Sequence, residues 1–414
     1  MIHAGFQAGL ARWYAENRIL AWMCALTFVN QLGFGSIVPV VPLYARQFDV
    51  PLSAIGLTIA VYGLARFLVN LPAGLVSDRL GRRYALALGG LITVVGNVFC
   101  AISPSYLPFL VARFIAGLGA GFVLAASQIM LADISTPERR GRIMATYSGV
   151  FSFAVGIGPL AGGLLADRGG LSAPFWGYAV MGATAALLAW LCVPETRMLR
   201  TATGGQSAAS RPSFVAQVRL MAGRPGFLPV CLVSFMAFFS RTGGLFTLIP
   251  VIGQERLSLG PDEIGLGLAT ISVMAIVLAY PSGVLADRFG RKIVIVPATL
   301  LTGLSFLLFL AAPSFLWFMA ACTVWAMASG VGGAAPSAYA ADIAPPGMNA
   351  AAMSSFRMLS ETGYVAGPLV LGAAADLFGA NASLAATAAM LVIVALIFAW
   401  RAPETRRRPA VASS

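Results

Sequence analysis

The sequence predicts an all-α integral membrane protein built from two six-helix bundles. Three observations carry that reading. Of the 414 residues, 59% are hydrophobic and only 10% charged, with a mean hydropathy of +0.85. Soluble domains carry about 25% charged residues, so most of this surface is suited to lipid rather than water. Twelve apolar runs have the length of a membrane-crossing helix, and short charged motifs recur at one fixed offset between the two halves.

The runs lie at 20–44, 54–76, 84–103, 107–131, 143–165, 174–193, 227–251, 263–285, 293–311, 315–340, 350–373 and 382–400. A bilayer crossing needs about 20 apolar residues. Only helices or closed barrels satisfy the backbone in lipid, and these runs are helix-length rather than short alternating strands. They predict a bundle over 20–193 and a second over 227–400, joined by a linker at 194–226 rich in Gly, Ser, Thr and Arg. Residues 1–19 lack the apolar core of a signal peptide and read as a surface amphipathic helix or a tail; residues 401–414 form a basic tail.

Lys and Arg set the expected orientation. With the N-terminus in the cytoplasm, 20 of the 27 fall in cytoplasmic segments, three on the other side and four inside spans. Both termini are therefore expected in the cytoplasm, in a bacterial inner membrane. The same placement accounts for most of the net charge of +12 without nucleic acid. No motif calls for a cofactor or metal. The five Cys lie in apolar runs without ligand spacing, the single His is His3, and neither a P-loop nor a pair of buried carboxylates is present. An enzyme is not expected.

GLVSDRLGRR at 74–83 recurs as GVLADRFGRK at 283–292, 209 residues on. Ala-Asp-Ile at 132–134, Gly-Pro at 158–159 and Pro-Glu-Thr at 194–196 recur at the same offset. The halves read as a parallel repeat about an axis along the membrane normal.

These motifs resemble those of the major facilitator superfamily, in particular its twelve-span drug:proton antiporter branch. GLVSDRLGRR is similar to its loop 2–3 signature, RFIAGLGAG at 113–121 to its span 4 pattern, GIGPLAGG at 156–163 to its span 5 signature and GFGSIVPVVP at 33–42 to its span 1 pattern. The resemblance implies that fold and secondary transport by rocking-switch alternating access, with proton-coupled efflux of small amphipathic molecules. An organic-anion uptake or exchange carrier, or a lipid flippase on the same fold, remain open beside it.

The resemblance also implies site roles. Gly74 would let spans approach closely. Asp78 would face the N-terminus of span 11. Arg79, Arg82 and Arg83, with Gly81 between them, would pair with carboxylates such as Asp133 and Glu138 as a gating latch. Asp287, Arg288 and Arg291 would repeat it less strictly. Gly158, Pro159, Gly162 and Gly163 suit a helix bend in span 5 packed on span 8 of the other half. Spans 1, 4, 7 and 10 line the cavity in the superfamily. Asn30, Gln31, Arg113, Phe238, Arg241, Trp325 and Tyr339 are accordingly substrate-site candidates.

Charges inside spans are costly and default to function. They are Arg66, Arg113, Arg241, Arg357 and Glu361, so Glu361 is the sole deep carboxylate. Arg66 lies about 18 Å from Asp78 along its helix and Glu361 about 16 Å inside span 11. Glu361 can carry the coupled proton, form an interdomain salt bridge with Arg66, or simply neutralise Arg357 at i, i+4. The interior surplus of positive charge favours a neutral, zwitterionic or anionic substrate, handled by a monomer with protons and membrane lipid as its other partners.

Overall fold

A computed structural model describes residues 2–136, 139–196, 219–345 and 349–405. Among them every regular element is helical: α1 (Ile2–Ile37), α2 (Val40–Arg46), α3 (Leu52–Leu68), α4 (Asn70–Leu80), α5 (Arg82–Ala101), α6 (Tyr106–Asp133), α7 (Arg140–Gly169) and α8 (Ala173–Leu191). They continue with α9 (Phe227–Phe239), a π-helical stretch (Ser240–Leu248), α10 (Ile249–Leu257), α11 (Pro261–Phe289), α12 (Arg291–Ala311), α13 (Phe315–Gly332), α14 (Ala335–Asp342), α15 (Asn349–Phe378) and α16 (Ala380–Arg401). Ten stretches are long and apolar enough to cross a membrane, and α3 with α4, bent by 44°, makes an eleventh. The remaining expected crossing is α15, 30 residues long. Its central Ser360-Glu361-Thr362-Gly363 makes it more polar than its neighbours. The protein is a multi-pass membrane protein.

Besides the second, bent between α3 and α4, three expected spans are interrupted. The first stops at Ile37 and restarts at Val40, because Pro39 and Pro42 withdraw backbone donors from the ladder. The seventh passes through π-helix at Ser240–Leu248, where Thr242-Gly243-Gly244 weakens the α-helix and the Thr247 hydroxyl donates to the Thr242 carbonyl five residues back, at 2.7 Å. The tenth breaks between Gly332 and Ala335. The expected linker lies largely outside the described residues.

The chain divides into two compact units, Met1–Tyr44 with Val61–Ser207, and Ala45–Ala60 with Ala208–Ser414. In the first, α1 pairs with α7 and α8, and α5 with α6 and α8. In the second, the repeat-related helices pair likewise: α9 with α15 and α16, and α12 with α13 and α16.

Glycines set the α1–α7 contact. A Cβ on Gly158 would lie 2.4 Å from the Gly35 Cα, and one on Gly162 would lie 1.7 Å from the Ser36 carbonyl oxygen. The sequence reading gave this face to a span of the other half. Its nearest atoms instead belong to α1, since only two opposed small residues allow such an approach. α7 stays helical through Pro159, with Gly163 buried beside it. In the second unit a Cβ on Gly367 would meet the Phe239 carbonyl oxygen in the same way, at 2.3 Å.

Residues 45–60 belong with the second unit for visible reasons. The Leu52 and Ser53 amides donate to the two Asp376 carboxylate oxygens at 2.7 and 2.9 Å. Arg46 pairs with Glu255 at 2.7 Å. A Cβ on Gly56 would meet the Pro368 carbonyl oxygen at 2.0 Å. The sequence division placed this stretch wholly in the first bundle. Hydrophobic periodicity does not register contacts of this kind.

Candidate functional site

At the basic end of the first unit, α4 ends at Leu80 and α5 begins at Arg82. Gly81 between them adopts φ 111°, ψ 159°, a conformation essentially reserved for glycine. That turn aims Arg82 back into the bundle, where its side chain is 2% exposed. Its Nε donates to Asp133 at the end of α6 at 2.9 Å. Its Nη1 meets Asp78 at 2.9 Å and the Ser77 carbonyl at 2.8 Å. Glu195 accepts from the Arg82 and Arg83 amides at 3.0 and 3.2 Å, and the Thr196 hydroxyl donates to Asp133 at 3.1 Å. The Arg83 guanidinium bonds the Trp190 carbonyl and lies over the Trp190 ring at 5.2 Å.

The cluster joins four chain segments into one charge-compensated knot. Burial of Arg82 and Asp133 raises the cost of breaking it from one side, because the partner left behind keeps an unpaired buried charge. Arg79 is exposed, and Glu138 lies outside the described residues. Gly74 does not act as the reading supposed. Among the described residues no heavy atom lies within 4 Å of where its Cβ would be. The glycine that geometry demands here is Gly81.

The second unit repeats the knot's two ion pairs and its Glu and Thr contacts. Arg291 donates from Nε to Asp342 at 3.3 Å and pairs with Asp287. Glu404 accepts from the Arg291 and Lys292 amides at 2.9 and 3.4 Å, and Thr405 donates to Asp342 at 3.3 Å. Gly290 takes φ 108°. Arg288 lies over Phe289 at 5.6 Å, outside the knot. Sequence reasoning found Pro-Glu-Thr at 194–196 and 403–405 as a repeated motif but gave it no task. Its Glu and Thr close both knots, and the shared 209-residue offset was the available signal.

Inside the spans the charges separate by unit. In the first, Arg113 is 3% exposed, lies 4.4 Å from the Tyr62 ring centroid, and among the described residues has no hydrogen-bond partner at Nε or Nη1. Tyr62 stacks on Phe34 at 5.5 Å, and Arg66 lies over Phe34 at 5.7 Å. Asn30 donates to the Gln31 side-chain oxygen at 3.0 Å, and both are buried.

In the second unit Arg357 and Glu361 form an i, i+4 pair at 2.9 Å, with side chains 62% and 41% exposed. Arg241 sits in the π-helical stretch with its guanidinium 5.3 Å from the Phe246 ring and its Nε buried without a hydrogen-bond partner among the described residues. Trp325 is buried, its indole N–H likewise unmatched, and Phe238 is partly exposed.

Tyr339 is not a cavity wall. It is fully buried, donates its hydroxyl to the Pro403 carbonyl at 2.8 Å and packs edge-on against Phe398, which fixes the chain just before Glu404. A buried tyrosine hydroxyl needs an acceptor, and the end of the bundle supplies it.

Comparison with known proteins gives the same picture. The chain is 26% identical over 401 residues to multidrug resistance protein 1 of Bacillus subtilis, covering 94% of this chain and 97% of that one. It is 26% identical over 373 residues to the class C tetracycline resistance protein of Escherichia coli, covering 89% and 91%. Its fold matches a bacterial homologue of the human lysosomal transporter Spinster, solved inward-facing and occupied, with a TM-score of 0.76 at 17% identity over 93% of this chain and 96% of that one. The profile of the Major Facilitator Superfamily matches residues 23–260 and 230–414. The chain belongs to the major facilitator superfamily and is a membrane transporter, not an enzyme.

Proposed function

We propose that the protein is a proton-coupled exporter of small amphipathic molecules in the bacterial inner membrane. In this reading it acts as a monomer with both termini in the cytoplasm, and its two bundles alternate access by a rocking switch. The observation that carries the coupling is Glu361. It is the one carboxylate in mid-span, it is 41% exposed, and its partner Arg357 is on its own helix. An ionisable side chain within a span defaults to a role in an ion or proton pathway. The relatives named for drug resistance support export. The paired knots at Arg82 and Arg291 support a gate that opens and closes by exchanging ion pairs.

Reconstituted vesicles test this, with tetracycline as a zwitterionic probe and naphthylacetate as an anionic one. An imposed proton gradient is expected to drive accumulation of at least one probe. Glu361→Gln should abolish that accumulation while sparing exchange of the probe down its own gradient. Retained proton-driven accumulation in Glu361→Gln removes Glu361 from coupling. Failure of the gradient to drive either probe in wild type overturns the export reading.

A further inference from the structure

We infer that the interior of the first unit holds a subsite for the carboxylate of an amphipathic substrate, centred on Arg113. This rests on the transport reading above and names the substrate class. Four side chains form a layered stack: Arg66, Phe34, Tyr62 and Arg113, with successive separations of 5.7, 5.5 and 4.4 Å. Tyr62 and Arg66 are i, i+4 on α3 and so share a face. Arg113 comes from α6. Asn30, one turn before Phe34 on α1, leaves its buried amide oxygen without a partner, available to an N–H or O–H elsewhere on the ligand.

The stack leaves Arg113 short of an anion. Its guanidinium is buried, and two of its N–H-bearing nitrogens have no acceptor among the described residues. Aromatic faces offset only part of the desolvation that a buried cation suffers. Among the described residues no carboxylate accepts from the Arg113 Nε or Nη1. Asp133 is on the same helix, 20 residues and about 30 Å away by helical rise, and is committed to Arg82. A guanidinium beside aromatic faces matches a planar carboxylate attached to an apolar body.

The repeat argues against a purely structural role. At the 209-residue offset, Arg113, Tyr62, Arg66 and Phe34 correspond to Cys322, Ile271, Ala275 and Gly243. In the second unit the helices that carry the positions equivalent to Tyr62, Arg66 and Arg113, α11 and α13, pack together without either arginine.

A matched probe series tests the subsite on the full-length protein in detergent: naphthylacetate, its neutral amide and naphthyl phosphate, with affinity read by calorimetry. Wild type is expected to bind the carboxylate at least ten-fold more tightly than the amide, and more tightly than the phosphate. In Arg113→Gln the carboxylate-to-amide ratio should fall to within two-fold. In Arg113→Lys, which keeps the charge but not the planar donor set, it should be intermediate. Melting without ligand confirms that each variant is folded, and the wild-type ratio needs no variant at all.

Equal affinity for carboxylate and amide in wild type overturns the subsite, as does a preference that survives Arg113→Gln. Tighter phosphate binding overturns the carboxylate assignment. The two readings fail separately. Proton-driven transport without a carboxylate preference sinks the subsite alone. Arg113-dependent carboxylate binding without proton-driven transport sinks the exporter alone.

Discussion

The two basic-end knots have the same wiring and different surroundings. Arg82 and Asp133 are 2% and 4% exposed, while Arg291 and Asp342 are 19% and 35% exposed. The Arg–Asp distance grows from 2.9 to 3.3 Å, and the Thr–Asp distance from 3.1 to 3.3 Å. A second difference lies at the next residue. Arg83, whose amide bonds Glu195 of the first knot, lies over the Trp190 ring, whereas the equivalent positions of the second hold Lys292 and Ala399. Lysine is a hydrated point charge without a planar face to stack, and alanine offers it no ring. One motif, copied twice, thus gives a dry ion-pair knot in one unit and a wet one in the other. Burial rather than wiring should decide what each copy is worth.

The largest expected effect is at the dry copy. Arg82→Gln strands Asp133 in a buried site. It should destabilise the purified protein by about 3 kcal/mol or more, the usual loss on breaking a buried pair from one side. Arg291→Gln leaves a half-wet carboxylate and should cost about 1 kcal/mol or less. Thermal unfolding in detergent measures both. Equal losses would mean that solvent screening does not separate the copies, and the comparison fails.

The hinge glycines come next and sharpen the same comparison, since here the copies should agree. Gly81 and Gly290 have φ of 111° and 108°, and a Cβ would meet Glu195 at 2.3 Å or Glu404 at 2.7 Å. Alanine at either should cost about 1–3 kcal/mol through backbone strain, which solvent does not relieve. A tolerated Gly290→Ala beside a damaging Gly81→Ala would show that the second turn can relax.

Much of this was legible in the sequence, and the limits are physical. Span positions follow from local hydropathy, and the repeat follows from identical residues at constant offset, so the fold class could be read directly, while the family resemblance implied that arginines of the 2–3 loop pair with carboxylates such as Asp133. Pro-Glu-Thr was visible but silent, because its role depends on three helices ending at one level. Tyr339 was misassigned because an aromatic in a lining span looks alike whether it faces a cavity or a helix end. Gly74 and Gly81 are indistinguishable by composition; only the backbone angle at Gly81 tells them apart. The π-helical stretch depends on how packed helices fit together, not on any one window of sequence. The Arg66–Phe34–Tyr62–Arg113 stack draws on three helices distant in sequence, which single-span reading cannot assemble.

The smallest expected effect on stability is at the outer carboxylates, and it isolates gating from folding. Asp78 and Asp287 are 54% and 71% exposed and each pairs with its arginine at i, i+4. Exposed pairs of this kind contribute about 0.3–0.5 kcal/mol, and each arginine keeps its inner aspartate when the outer one is neutralised. Asp78→Asn and Asp287→Asn should therefore melt within a few degrees of wild type. If the knots only hold the bundles together, transport in both should also stay near wild type. If the first knot is a gate, Asp78→Asn should lose most probe transport at near-native stability, because Asp78 is the member reachable from outside the bundle and able to exchange partners. Asp287→Asn, at the wetter and looser copy, should lose less. Vesicle transport and melting measured on the same preparations decide the matter: an Asp78→Asn variant with native stability and native transport would leave the knot as scaffold.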